Sequence, residues 1–272
     1  MTKRWSPSSV LILVLGIVTL LPFYLMIVTS FKTDAAYVAE QLLPPTQPVG
    51  ENYVEVFRQL NLASNFINTV VILVATMVPY LAIATAAGFA FAKLSFPLRT
   101  PLLLLITGVM VFPQMVLGVQ IYILQSNLGI LDTRAGVVAA YLGYFGPYAA
   151  YLMTTYFRNV PRTFMEAATI DGASLWQIFA RVMVPLARPM LLTLAIVGSQ
   201  AVWNELPFAL LLLRSSSKRT LMSAIALFNG EYGVTVPTMS AALVVVSLPI
   251  VVLYILAQRQ VQQGVLAGGI KE

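Results

Sequence analysis

Cysteine and histidine are both missing from the 272 residues of this chain. Their absence excludes disulfides, Cys/His zinc sites, histidine general-base catalysis and any Ser-His-Asp triad. Charge is scarce as well. Only 10% of residues are Asp, Glu, Lys or Arg, against about 25% in soluble globular domains. With ten acids in all, a carboxylate-only metal site is the one metal chemistry left open, and no acid cluster suggests it. No run of basic residues is interleaved with aromatics, so the net charge of +6 does not point to nucleic acid. No catalytic constellation and no resident cofactor are expected.

What is abundant is apolar surface. Hydrophobic residues make up 59% of the chain, and the mean hydropathy is +0.85. A water-soluble fold of this length cannot hide that much apolar area, whereas a bilayer accommodates it. The sparse charges mark the boundaries of the runs. None lies between Arg4 and Lys32, Arg58 and Lys93, Arg99 and Asp132, Arg134 and Arg158, or Glu231 and Arg259. Between Arg188 and Arg214 there is one, Glu205. A span needs roughly 20 apolar residues, so each stretch holds one. The spans are expected near residues 8–30, 66–92, 101–125, 136–157, 189–212 and 237–258.

Helix is the expected conformation, because a segment alone in lipid must satisfy its own backbone. A β-barrel needs short segments of alternating polarity, and these runs are continuous. The expectation is an all-α integral membrane protein of about six transmembrane helices, forming one transmembrane domain over 1–272. Pro79, Pro113, Pro147, Pro207 and Pro249 fall inside the expected spans, where proline kinks a helix either for packing or as a hinge. The first span follows Lys3 and Arg4 like a signal peptide, but its apolar run is longer and ends at no small-residue cleavage site. A retained anchor is expected.

Orientation follows from the basic residues. With the N-terminus inside, Lys3, Arg4, Lys93, Arg99, Arg158, Arg162, Arg181, Arg188, Arg259 and Lys271 face the cytoplasm. Lys32, Arg58, Arg134, Arg214, Lys218 and Arg219 face outward, so the bias is ten against six of the sixteen. Both termini are expected in the cytoplasm. Two connections stand out by length: an outward one near 31–65, with Pro44, Pro45 and Pro48, and a cytoplasmic one near 158–188.

The cytoplasmic connection reads as two short helices joined by a turn. Pro161 suits a first helical turn. Phe164, Met165 and Ala168 share a face at helical spacing. Asp171-Gly172 signals a stop. Ser174 and Gln177 form a capping pattern for a second helix, which Pro185 is expected to end. A helix this short is marginal alone in water. It therefore needs a docking surface, either on a partner or on this chain's own membrane domain.

The same segment resembles the Glu-Ala-Ala loop of ABC importer permeases. That pattern is Glu-Ala-Ala, three residues, Gly, nine residues, then Ile-x-Leu-Pro. Here it reads Glu166-Ala167-Ala168, Gly172 and Val182-Met183-Val184-Pro185, with valine at both apolar positions near the end. The resemblance implies that the first short helix is a coupling helix between spans four and five. It would dock in a groove of a separate ATPase dimer and pass on ATP-driven closure. By matching position, Phe164, Met165, Glu166, Ala167, Ala168, Asp171 and Gly172 are the coupling residues. Glu166 would make a polar or ionic contact, the alanines would allow close approach, and Gly172 the turn. ATP and Mg would be bound by the ATPase, since this chain has no G-x-x-x-x-G-K-[ST] motif.

Further segments are similar to the maltose-type second permease of the carbohydrate branch. These are Leu21-Pro22 with Thr29-Ser30-Phe31-Lys32-Thr33, Leu128-Gly129-Ile130-Leu131-Asp132-Thr133, Trp203-Asn204-Glu205, and Gln258-Arg259 with Gly264 and Gly268-Gly269-Ile270-Lys271. The implied partners are a second permease subunit, an ATPase dimer, an extracytoplasmic solute-binding protein, membrane lipid and a carbohydrate substrate. An ionisable residue inside a span lines a cavity or finds a partner. Trp203, Asn204 and Glu205 are thus either a sugar-facing surface or a helix-packing device, with Gln114 a weaker pathway candidate. A secondary transporter is the alternative reading, but it usually carries ion sites in the membrane and internal repeats. Neither it, nor a channel, nor a membrane enzyme accounts for 158–188.

Overall fold

A computed structural model describes residues 7–269, apart from the side chains of 7, 253, 254 and 256–269. The basic residues Lys3, Arg4 and Lys271 used for orientation, the side chain of Arg259, and the tail resemblance at Ile270-Lys271 lie outside the described residues. Every regular element among the described residues is helical. In order they are α1 (Pro7–Ser30), α2 (Asp34–Ala39), α3 (Glu51–Gln59), α4 (Leu62–Lys93), α5 (Arg99–Val109), α6 (Gln114–Asn127) and α7 (Arg134–Asn159). Then come α8 (Thr163–Ile170), α9 (Leu175–Gln177), a π-helical turn (Ile178–Met183), α10 (Val184–Leu186) and α11 (Arg188–Trp203). The last are α12 (Pro207–Leu212), a 3₁₀ turn (Ser216–Lys218), α13 (Leu221–Tyr232) and α14 (Val236–Gly269).

Two of these, α1 and α4, are each long and apolar enough to cross a membrane alone. Counting two bent pairs as single spans, α5 with α6 and Leu175–Leu186 with α11, raises the number to four among the described residues. The 26-residue α7 has the length, but Tyr141, Tyr144, Tyr148, Tyr151 and three glycines dilute its apolar character. The expected third span is not one helix: α5 and α6 meet at 102° across Met110–Pro113. The amides of Met110, Val111 and Phe112 all bond three residues back, a tightened last turn that Pro113, without an N–H, cannot extend. The expected fifth span is broken as well. Helix α11 ends at Trp203, and α12 begins with Pro207 in its first turn. By contrast Pro22, Pro79, Pro147 and Pro249 sit inside unbroken helices. Proline breaks the chain here only where a new helix starts on it. The second short helix of the 158–188 connection also runs one residue past Pro185, with Ile178–Met183 wound as π-helix just before that proline.

The chain forms two compact units. One takes the chain as far as Leu62 together with Ala224–Pro249; the other takes Ala63–Ser223 and the chain from Ile250 onward. In the first, the Thr29–Thr33 segment is a clasp. Asn52 donates to the carbonyls of Ser30 and Lys32 at 2.9 and 2.8 Å, and Ser30 bonds Tyr53 at 2.7 Å. The buried Lys32 ammonium donates to the carbonyls of Glu40 and Gln41 at 2.5 and 3.1 Å. A buried cation needs such partners, and here they are backbone dipoles. Asn52 in turn accepts from Thr238 at 3.2 Å.

The second unit holds a continuous apolar core running from Ile72 to Leu213. Small residues let α4 approach α7: Ala84, Gly88 and Ala92 recur every four residues and are buried. A Cβ at Gly88 would lie 2.4 Å from that of Met153. This spacing is the small-xxx-small device of membrane helix packing.

Candidate functional site

Two places in the second unit concentrate polar structure. The first is where the start of α6 meets the break between α11 and α12. Glu205 lies between α11 and α12 and is only 5% exposed. Pro207 has no N–H to satisfy, and Glu205 caps the next two amides: Phe208 donates to Oε1 at 2.7 Å and Ala209 to Oε2 at 3.0 Å. Gln114, the first residue of α6, donates its side-chain N–H to Oε1 at 2.5 Å. Tyr141 of α7 donates its hydroxyl to Oε2 at 2.6 Å. One carboxylate thus ties the start of α6, just after the α5–α6 bend, to the α11–α12 break and the middle of α7.

Trp203, Asn204 and Glu205, expected as either a sugar-facing surface or a helix-packing device, differ in exposure. Trp203 and Glu205 are buried, Asn204 is exposed, and Gln114 is half-buried. Trp203 meets Phe66 edge-on at 6.0 Å, and its buried indole N–H has no hydrogen-bond partner. Tyr141 was not legible from sequence as the partner of Glu205. Several tyrosines lie along α7, and no spacing singles out this one.

The second place is the segment from 158 to 188. Helix α8 ends in a Schellman motif. Ala173 N–H bonds the carbonyl of Ala168 at 2.9 Å, Gly172 N–H bonds that of Thr169 at 3.0 Å, and Gly172 sits at φ +78°. Nothing lies within 4 Å of a Cβ at Gly172, so the constraint there is backbone alone. The capping box at Ser174 is present, with Ser174 N–H donating to Gln177 at 2.7 Å and Gln177 N–H to Ser174 at 3.4 Å. Met165 and Ala168 pack on the unit's own core. Glu166, Ala167, Asp171 and Gly172 are exposed. Phe164 is 46% exposed and Ile170 85% exposed. Thr163, Ala167 and Ile170, at positions i, i+4 and i+7, form a ridge facing away from the core. The helix is thus anchored on one face and open on the other. Both docking surfaces expected of it have a face to use.

A third cluster has no counterpart in the sequence reading. Asp132, at φ +56°, accepts on Oδ1 from the amides of Arg214 and Ser215 at 2.9 and 3.0 Å. Its Oδ2 accepts from the Ser215 hydroxyl at 2.5 Å and from Lys218 at 3.1 Å. Burial pushes this carboxyl up, and the bonds from Ser215, Lys218 and Arg214 outweigh it, so the group ends well below the usual carboxylate range. Arg134 donates to Asn68, whose amide donates to the carbonyls of Ser217 and Arg219 at 2.8 and 3.0 Å. The connection after α12 is thereby held from two sides. Among the described residues no three Asp or Glu side chains converge as metal ligands.

Comparison with known proteins gives this geometry a context. Residues 65–266 match the family described as "Binding-protein-dependent transport system inner membrane component". The chain is 32% identical to the trehalose transport system permease protein SugB of Mycobacterium tuberculosis, over 93% of this chain and 92% of that one. It is 29% identical to the trehalose/maltose transport system permease protein MalG of Thermococcus litoralis, over 95% and 94% respectively. Its fold matches a chain of a bacterial ABC transporter involved in the import of the acidic polysaccharide alginate. There the TM-score is 0.82 and the identity 23%, covering 95% of this chain and 99% of that chain. A match spanning most of the chain places this protein in the family of inner-membrane components of binding-protein-dependent transport systems: it is an ABC importer permease, a transport subunit rather than an ATPase.

Proposed function

We propose that the chain is one of two permease subunits of an ATP-driven carbohydrate importer, with six spans, both termini in the cytoplasm, and α8 as its coupling helix. The observation that carries the reading is the two-faced α8, with Met165 and Ala168 seated on the core and Glu166, Ala167 and Ile170 open. Seating fixes the helix to the membrane domain, so a force on the open ridge moves that domain rather than only the helix. Phe164, Met165, Glu166, Ala167, Ala168, Asp171 and Gly172 form this element. A helix of eight residues is held by its C-terminal cap and its seat rather than by propensity.

One coupling helix per chain cannot engage both members of an ATPase dimer. The working assembly is therefore this chain, a second permease and two ATPases, supplied by an extracytoplasmic solute-binding protein. ATP and Mg belong to the ATPases. The carbohydrate class rests on the relatives named for trehalose and maltose transport. Family membership removes the ground for the secondary-transporter alternative. The pathway residues are Gln114, Trp203, Asn204 and Glu205, at the breaks where the backbone departs from helix. Non-helical backbone at membrane depth is tolerated where it is buried in protein or lines a cavity. The unpartnered Trp203 indole N–H is a donor for a sugar hydroxyl once the neighbouring helices part.

The test is co-purification of the ATPase and second permease from membranes with the unaltered chain, Glu166→Ala and Gly172→Asp. Glu166→Ala and Gly172→Asp should each lose or uncouple the ATPase while the permease stays folded. The unaltered assembly should have the mass of two permeases and two ATPases. Full uptake by this chain with no ATPase bound would refute the proposal.

A further inference from the structure

Beside the open ridge of α8 lies a cleft of about 440 Å³ lined by Lys93, Arg162, Met165, Glu166, Thr169 and Ile170. Its charge is unbalanced. Lys93, the last residue of α4, donates to the carbonyl of Val160 at 2.5 Å, which fixes the ammonium at the start of the cytoplasmic segment. Arg162 immediately precedes α8 and is exposed. Neither cation has a carboxylate within ion-pair distance. Among the described residues the ion pair present is the distant one between Lys218 and Asp132. Glu166 shares the cleft without bridging to either. Two cations and one separated anion leave a net positive pocket with an apolar lip at Met165 and Ile170.

We propose that Lys93 and Arg162 receive an acidic side chain from the partner ATPase when α8 docks. This rests on the docking reading above and adds a second, oppositely charged contact to the one at Glu166. Continuity argues for the ATPase. Four of the six lining residues belong to α8 itself, and Ile170 belongs to both ridge and cleft, so a partner seated on the ridge borders the cleft. Chemistry argues for a carboxylate. Cations without an internal counter-charge gain most from an anion delivered as the site is desolvated. The mixed signs also set register, because an ATPase groove must present an acid at Lys93 and Arg162 and a base at Glu166. A groove displaced by one helical turn meets like charge.

The test uses the assembled complex in nanodiscs, reading the apparent affinity of the ATPase at low and high salt. Arg162→Gln removes an exposed side chain whose electrostatic neighbour in the free chain is the like-charged Lys93, so it should leave the fold intact. It should weaken ATPase binding about fivefold at low salt, as expected for one partly exposed charge pair. Arg162→Lys should restore most of the loss, and the difference should shrink at high salt. Lys93→Arg, which keeps the charge, should bind as the unaltered chain does. Equal affinity of Arg162→Gln and the unaltered chain at both salt concentrations overturns the proposal while leaving docking through α8 intact. A deficit that disappears when anionic lipid is omitted also overturns it, because the cleft then holds a phosphate headgroup. If the unaltered chain binds no ATPase, the docking reading fails first.

Discussion

Four donors surround the Glu205 carboxylate, and two of them are backbone amides that nothing else can satisfy. Glu205→Ala strands the Tyr141 hydroxyl and the amides of Phe208 and Ala209, at about 1–3 kcal/mol for each buried group left unpaired. Thermal unfolding of the purified protein should shift down, and uptake should fall with it. Unchanged unfolding would show that the carboxylate is free for substrate rather than committed to the fold. Asp132 gives a prediction in pH. Its folded-state pKa lies below the ordinary carboxylate value, so its contribution to stability is complete above the unfolded value of about 4 and fades as pH falls below that. The stability gap between the unaltered protein and Asp132→Asn should therefore be constant from neutral pH to about pH 5 and close below pH 4. Unfolding midpoints across that range would show it; a gap that widens on acidification would be the wrong sign.

At this scale the sequence was partly legible. Glu205 was identifiable because an acid inside an apolar run is rare and needs a partner. Which partner it takes was not, since Gln114 and Tyr141 are 91 and 64 residues away along the chain. Asp132 lay within a recognisable segment, but its clasp to Ser215 and Lys218 spans more than 80 residues. Hydrogen-bond partners at that separation are set by helix placement, not by local pattern.

Caps and turns, at the scale of the element, were read directly. Ser174 and Gln177 form the predicted box, and Gly172 takes the positive φ that its place after Asp171 suggests. These are local devices, and local sequence encodes them. Breaks within spans were not read, because a proline inside an apolar run is compatible with a continuous helix, a kink or a new start. Pro79 and Pro113 look alike in sequence and differ in outcome. Close packing gives the test at this scale. A methyl group at Gly88 collides with the Cβ and backbone of Met153 at 2.4 and 2.8 Å, whereas a Cβ at Gly16 meets open space. Gly88→Ala should destabilise by about 1–3 kcal/mol through overpacking, and Gly16→Ala should be neutral or slightly stabilising. Fluorescence-detected unfolding in detergent compares the two. Equal midpoints would mean that α4 can slide away from α7 without penalty.

On the scale of the whole molecule, the large apolar residues of α1, from Val10 to Phe23, are exposed. A bilayer is the surrounding that such a surface calls for. The sequence by itself determined the membrane class, the approximate places of the apolar runs, and the caps and family likeness of 158–188. Each depends on composition, on periodicity or on residues close together in the chain. Only the tertiary structure decided that the third and fifth runs are broken helices and that Glu205 joins the start of α6 to the break between α11 and α12. It alone showed that α8 has one seated and one open face, and that Lys93 and Arg162 line a single cleft. Those outcomes depend on which surfaces meet after the helices pack, a long-range balance of van der Waals contact and buried hydrogen bonding that no short window of sequence carries.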